Sequence, residues 1–244
     1  MNDYLTPLWI SLKTVLVTTA ITFILGIAAA RWMSRYTGKI KPIIDGIFIL
    51  PLVLPPTVVG FGLLLFMGKH GWGGKFLALF NTSVVFSWPA TVIAAAVMSF
   101  PLMYMTTKGA FEQVDTNIEN AARTLGASEW RVLYSVTLPM AWPGVLAGTI
   151  LSFARALGEF GATLMVAGNI PGRTTTIPVA IYFAIVEGNM KQANILMIIV
   201  LCIALASLAL LAYLKKPKPR ERGLIANPVP SDILHAGRKI DSPP

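Results

Sequence analysis

Five long apolar stretches constrain most strongly how this chain can fold. They lie near residues 8–30, 43–67, 84–107, 144–167 and 194–214. Each is long enough to cross a hydrocarbon core of about 30 Å as a helix. The 244 residues are 55% hydrophobic and 13% charged, with a mean hydropathy of +0.68, which excludes an ordinary soluble domain. The sequence therefore predicts an all-α integral membrane protein with about five transmembrane helices.

The basic residues indicate how these helices are oriented. With the N-terminus outside, fourteen of the twenty lysines and arginines fall on the cytoplasmic side. Lys13 and Arg155 lie within spans, and four basic residues fall outside: Lys69, Lys75, Arg173 and Lys191. This asymmetry follows the positive-inside rule, so the net charge of +9 indicates membrane orientation rather than nucleic-acid binding. We expect the C-terminus to be cytoplasmic.

The two ends of the chain differ in character. A cleaved signal peptide is an alternative for the first stretch, because Ala28 to Ala30 resemble a small-residue cleavage site. A retained span fits better, since basic residues follow the stretch instead of preceding it. Residues 1–214 form the predicted transmembrane domain. Residues 215–244 are basic and rich in proline, and we expect a largely disordered cytoplasmic tail that lies against acidic lipid headgroups.

A polar segment at residues 116–139, called the insert below, separates the third and fourth stretches. Thr116 and Glu119 have the spacing of a capping box at the start of a helix. Gly126 suits a left-handed C-terminal cap after that helix. The first half of the insert is therefore a predicted amphipathic helix.

The second half of the insert predicts another short helix. Ser128 can cap its N-terminus, and Pro139 ends the apolar pattern. The insert thus consists of two helices that meet at a glycine corner on the cytoplasmic side. A pair lying on lipid headgroups is the alternative, but the second helix leads directly into a span.

Proline residues interrupt the second apolar stretch at mid-depth. Pro55 and Pro56, followed by Thr57, remove backbone donors where lipid cannot replace them. Two interpretations remain open. One is a simple kink that shapes helix packing, and the other is a broken helix that lines a translocation path.

Charged residues in the fourth stretch form a second unusual feature. Arg155 lies about 16 Å beyond Gly144 at the usual helical rise, close to the membrane midplane. Glu159 follows one turn later and can pair with it. The pair is either a static salt bridge or part of a gate or path, because ions at this depth need a partner or water. Thr163 is a further candidate for the path.

The insert resembles the loop that is typical of permease subunits of binding-protein-dependent ABC importers. That pattern is E-A-A, three residues, glycine, nine residues, then I-x-L-P. The matching residues are Asn120, Ala121, Ala122, Gly126, Val136, Leu138 and Pro139. Asn120 departs from the usual glutamate, although Glu119 stands beside it. The segment from Phe153 to Tyr182 is similar to the molybdate members of the family.

The resemblance implies a set of partners and a location. The expected assembly is a homodimer with two cytoplasmic ATPase subunits and an external molybdate-binding protein, in the cell membrane of a prokaryote. ATP and Mg would be bound by the ATPase, and we expect no cofactor on this chain. The residues expected to couple to the ATPase are Glu119, Asn120, Ala121, Ala122, Leu125, Gly126, Ala127, Ser128, Trp130 and Arg131.

The resemblance also implies what the complex does. It would import molybdate, with tungstate or sulfate and thiosulfate as alternatives that share shape and charge. The predicted path or gate residues are Pro55, Pro56, Thr57, Arg155, Glu159 and Thr163.

Other classes of function fit the sequence less well. A membrane-anchored DNA regulator would need a basic insert, but residues 112–131 carry four acids against two arginines. An enzyme would need converging catalytic groups, and we identify none. A metal site is not expected, because His70 and His235 fall on opposite sides of the membrane. A secondary anion transporter would have to rely on Arg155 and Glu159 alone.

Overall fold

The computed structural model describes residues 2–80 and 82–214, with the side chains of Asn2, Asp3 and Leu214 excepted, so the predicted tail at residues 215–244 lies outside the described residues. These residues form helices and connecting loops, without a strand. The helices are α1 (Asn2–Arg35), α2 (Lys41–Val53), α3 (Pro56–Met67), α4 (Trp72–Ala78), α5 (Trp88–Glu112), α6 (Thr116–Thr124), α7 (Glu129–Val132), α8 (Leu138–Leu157), α9 (Gly161–Ala167), α10 (Ile177–Val186) and α11 (Met190–Leu214). A π-helical turn, Leu133–Thr137, joins α7 to α8.

Within the described residues, four helical segments are long and apolar enough to cross a membrane. They are α1, α5, α11 and the continuous helix Glu129–Leu157, called α7–α8 below. Helices α2 and α3, which bend by 112° at their junction, are together long and apolar enough as well, either as one broken span or as a re-entrant loop. The predicted all-α membrane fold with about five spans is confirmed.

Three helices, α1, α5 and α8, pack together as the centre of the bundle. One face of α1 carries hydroxyl side chains at helical spacing, all buried. Thr14 lies 3.1 Å from the Thr91 hydroxyl of α5, and Thr22 lies 3.1 Å from the Ser152 hydroxyl of α8. Hydroxyls can hold apolar helices together because lipid offers them no other partner. The buried face consists of Ser11, Thr14, Thr18 and Thr22.

A small-residue surface lets α5 and α8 approach closely. A Cβ added to Gly144 would lie 2.3 Å from the Ala110 Cβ, and one on Gly148 would lie 3.3 Å from the Met103 carbonyl oxygen. Both glycines therefore serve packing inside the subunit.

The fourth crossing differs from its sequence prediction. Pro139 does not end the second helix of the insert, because α7–α8 continues through it. The π turn precedes this proline, and the Leu138 N–H donates to the Leu133 carbonyl five residues earlier. This shift in hydrogen bonding accommodates a residue that lacks an N–H group. The insert and the span are consequently one helix.

The same crossing also ends earlier than the apolar stretch at residues 144–167. The helix stops at Leu157, and α9 begins at Gly161 after a break. Two short helices, α4 and α10, are absent from the sequence prediction. The α10 segment has only 10 residues, too few to cross a membrane, and its Ile177 N–H donates to the Ser11 hydroxyl at 2.7 Å.

Candidate functional site

The insert folds as two helices at a glycine corner, with one difference from the predicted capping. Gly126 has φ +81°, as expected for a left-handed cap. The Ser128 hydroxyl accepts a 3.4 Å hydrogen bond from the Arg131 N–H. The capping box of Thr116 and Glu119 is wrong. Asp115 is the N-cap instead, and its carboxylate accepts from the Asn117 N–H at 2.8 Å.

Because it does not serve in the cap, the Glu119 carboxylate points into the protein, and the residue as a whole is only 8% exposed. Its Oε1 accepts from Arg31 Nη1 at 3.2 Å and from the Thr137 hydroxyl. Its Oε2 accepts from Arg35 Nη2 at 3.3 Å and from Arg123 Nη2 at 3.2 Å. These five residues are called the Glu119 cluster below. They connect α1, α6 and the π turn at one end of the bundle.

The cluster keeps Glu119 ionised. Burial by itself would raise the pKa of this carboxyl. Hydrogen bonds from Thr137 and Arg31, together with the positive charges of Arg31 and Arg35, outweigh burial and lower the pKa of Glu119 to about 2. The carboxylate therefore carries its charge throughout the neutral pH range.

The opposite side of the insert presents apolar side chains to the surroundings. Leu125 is 89% exposed and Trp130 is 69% exposed. The Trp130 and Tyr134 rings stack with their centroids 6.1 Å apart. Ile118 and Ala121 are also exposed. This exposed apolar surface, called the outer face below, lies on the other side of the insert from the charged Glu119 cluster. An exposed apolar patch of this kind is typical of a docking surface.

The remaining predicted coupling residues lie beside the outer face. Asn120 is exposed, and its side-chain oxygen accepts from Arg123 Nη1 at 2.7 Å. Arg131 is exposed, while Ala122 and Ala127 are half-buried at the corner. Glu119 alone of the predicted set points inward.

A second site forms where two helix breaks meet. The proline segment is a true break between α2 and α3 and not a mild kink, since the two helices bend by 112°. A Cβ added to Gly161 would lie 3.0 Å from the Pro56 Cβ and 3.5 Å from Thr57 Cγ2. One on Gly60 would lie 2.7 Å from the Ala162 Cα. Glycine at both positions therefore allows α3 to lie directly against α9 and brings the two breaks together.

Arg155 and Glu159 pair across the second break, as the sequence predicts. Arg155 Nη1 lies 2.7 Å from Glu159 Oε2. Glu159 is 3% exposed, and its Oε1 accepts from the Ala162 N–H at 2.8 Å, which caps α9. Arg155 occupies the last turn of α8, where the helix dipole favours a cation. The pair thus joins the end of α8 to the start of α9.

The structure brings most of the predicted path residues together. Pro56 and Thr57 lie beside Gly161, two residues from Glu159, and the side chains of Pro55 and Thr57 are exposed. Arg155 is one turn beyond Ser152, which contacts the middle of α1. Thr163 is buried within α9 at 1% exposure, and so it does not reach this open surface.

Solved structures of ABC transporters have the same fold. An inward-facing MetNI methionine ABC transporter matches with a TM-score of 0.68 and 15% identity, covering 87% of this chain and 96% of the matched chain. A bacterial alginate ABC transporter, in complex with alginate pentasaccharide-bound periplasmic protein, matches with a TM-score of 0.68 and 15% identity over 88% of this chain and 77% of that chain. At 15% identity, this structural similarity establishes the fold alone.

Curated relatives are much more similar in sequence. The putative molybdenum transport system permease protein YvgM of Bacillus subtilis is 45% identical over 218 residues, which are 89% of this chain and 95% of that protein. The molybdenum transport system permease protein ModB of Escherichia coli K12 is 45% identical over 209 residues, or 85% and 91% of the two chains. Residues 22–216 match the family described as the binding-protein-dependent transport system inner membrane component. The chain therefore belongs to the family of inner membrane components of binding-protein-dependent transport systems.

Proposed function

We propose that this chain is the transmembrane subunit of an ABC importer that moves molybdate into the cytoplasm, with tungstate as an alternative substrate. The assignment of molybdate as the substrate rests on the 45% identity to permeases named for molybdenum transport, over most of both chains. ATP hydrolysis on separate subunits would drive the movement. This chain would bind neither ATP nor Mg.

The proposed assembly has two copies of this chain, two cytoplasmic ATPase subunits and an external binding protein. The insert lies on the cytoplasmic side, with the N-terminus outside and the C-terminus inside, as the distribution of basic residues favours. The outer face would enter a groove on the ATPase. Its exposed leucine and aromatic rings have the composition of an interface anchor.

The long helix α7–α8 supports a direct mechanical connection between the two sites. It contains 29 residues and is therefore roughly 43 Å long at 1.5 Å per residue. One end carries part of the outer face, and Arg155 lies in the last turn of the other end. Movement of the insert by the ATPase would shift the Arg155 side chain and the break beside it. The π turn is the position where this helix could bend.

The Arg155 pair suits passage of a dianion without tight binding. A guanidinium attracts an oxyanion, while the adjacent Glu159 carboxylate offsets much of that attraction. Thr57, exposed at the facing break, supplies a hydroxyl. The path would therefore be formed by two broken helices that lie against each other.

The substrate can be tested with the purified permease and its ATPase. Adding binding protein loaded with molybdate is expected to raise ATP hydrolysis severalfold over the unloaded protein. The sulfate-loaded protein of a sulfate system serves as the comparison. Stimulation by sulfate-loaded protein alone would contradict the assignment to molybdate.

A further inference from the structure

We infer that Glu119 is a positioning residue that makes α1 move together with the insert. The inference rests on the proposed function, since it concerns how the motion of an ATPase reaches the spans. The resemblance implied a contact between this residue and the ATPase. The buried carboxylate supports an internal role instead.

The connection between α1 and the insert passes through side chains. The backbone of α6 packs against α7 and the π turn, whereas α1 packs against α5 and α8. Arg31 and Arg35 extend from the last turns of α1 to opposite oxygens of the Glu119 carboxylate. One anionic group thus holds two cations of α1 and the hydroxyl of Thr137.

A second carboxylate reinforces this arrangement. Glu129, at the start of α7, pairs with Arg35 and also with Arg123 Nε at 2.7 Å. Arg35 and Arg123 therefore each contact both carboxylates. Three arginines face two glutamates, and Glu129 is the more exposed of the two. Removing the charge of Glu119 would leave three cations around one exposed anion, and their repulsion would separate the end of α1 from the insert.

The rest of α1 makes this connection relevant to transport. Its hydroxyl face contacts α5 at Thr91 and α8 at Ser152, inside the bundle. A motion of the insert would thus reach the spans by two routes: directly along α7–α8, and through the Glu119 cluster into α1. Both routes must move together for the bundle to rearrange as a unit.

The test is Glu119→Gln in the full permease–ATPase complex reconstituted in vesicles. The amide keeps the size of the side chain and an acceptor for Thr137 but removes the charge. We expect the ATPase to co-purify as with the wild type and ATP hydrolysis to stay within about twofold, because the outer face is unchanged. Molybdate transported per ATP hydrolysed should fall about tenfold. Glu112→Gln, the same change at the end of α5 outside the cluster, should leave this ratio unchanged.

A distance measurement separates coupling from a loss of structure. With Cys202 replaced by alanine, spin labels at the exposed positions Trp32 of α1 and Thr124 of α6 report the distance between these helices. We expect the same distance in nucleotide-free and ATP-bound wild type, and different distances in the two states of Glu119→Gln. A normal transport ratio, or a distance that stays constant in the variant, would overturn the inference.

The possible failures are distinguishable. If Glu119→Gln loses the ATPase while the wild type retains it, Glu119 belongs to the docking surface, and the inference is wrong while the proposed function stands. If the wild type binds no ATPase, the proposed function itself fails. If Glu119→Gln does not fold, Arg35→Gln can be used instead, because Arg35 is more exposed and its loss removes one of the two contacts between α1 and Glu119. This variant should lower the amount of molybdate transported per ATP about threefold. An unchanged ratio would overturn the inference.

Discussion

Leu125→Asp is expected to release the ATPase from the complex. The Leu125 side chain is 89% exposed, so the substitution should leave the fold of the permease intact. In the proposed complex this side chain enters an apolar groove, where an unpaired carboxylate costs about 3 kcal/mol or more. Affinity for the ATPase should fall at least roughly hundredfold. Co-purification and titration of ATPase onto the reconstituted permease measure the effect.

Leu79→Asp provides a matched control for this experiment. Leu79 is also a leucine with 80% exposure, but it follows α4, on the side that we propose to be external. This variant should bind the ATPase within about twofold of the wild type. Docking through the outer face would be contradicted if Leu125→Asp bound the ATPase as tightly as the wild type does. An equal loss of affinity in both variants would contradict it as well.

Arg155→Met is expected to have the second large effect, because it leaves the Glu159 charge without its cation. Removing one partner of a buried pair costs about 3 to 5 kcal/mol of stability. The double variant Arg155→Met with Glu159→Gln should restore the midpoint of thermal unfolding, since no buried charge remains at this site. The glutamine oxygen can still accept from the Ala162 N–H. Transport should nevertheless stay at least tenfold below the wild type, because the oxyanion has lost its cation.

The double variant decides between the two interpretations of the pair. A static salt bridge predicts recovery of both stability and molybdate transport when both charges are removed. A path or gate predicts recovery of stability alone. Transport at the wild-type rate by the double variant would contradict our assignment of Arg155 to the path.

Much of this fold follows from local sequence signals, and the exceptions have physical causes. Hydropathy predicts the crossings because the membrane requires long apolar helices. The helix caps at Gly126 and Ser128 were predicted correctly, because each cap depends only on the backbone of neighbouring residues. The prediction that a helix ends at Pro139 was wrong, because a π turn can accommodate a residue that lacks an N–H group. The α8–α9 break was missed because Gly158, the C-cap of α8, lies inside the predicted span at residues 144–167, and hydropathy alone does not indicate where a helix ends within a span.

Local sequence signals predict the candidate sites less completely than they predict the fold. The pair of Arg155 and Glu159 is one helical turn apart and could be found from spacing. Glu119 also satisfied a local rule, the capping box, but three arginines and Thr137 outweigh that single cap. Arg31 and Glu119 are 88 residues apart, and their pairing depends on where α1 ends relative to the insert. The contact of Gly161 with Pro56 is likewise visible only in three dimensions.

The central claim is that the outer face is cytoplasmic and is covered by an ATPase. A single cysteine at Thr124, beside Leu125, in a Cys202→Ala background tests it with a membrane-impermeant maleimide. We predict labelling in inside-out vesicles stripped of the ATPase, little labelling in intact spheroplasts, and at least fivefold slower labelling after the ATPase is added back. Labelling only from the external side, or at the same rate with and without the ATPase, would contradict the account.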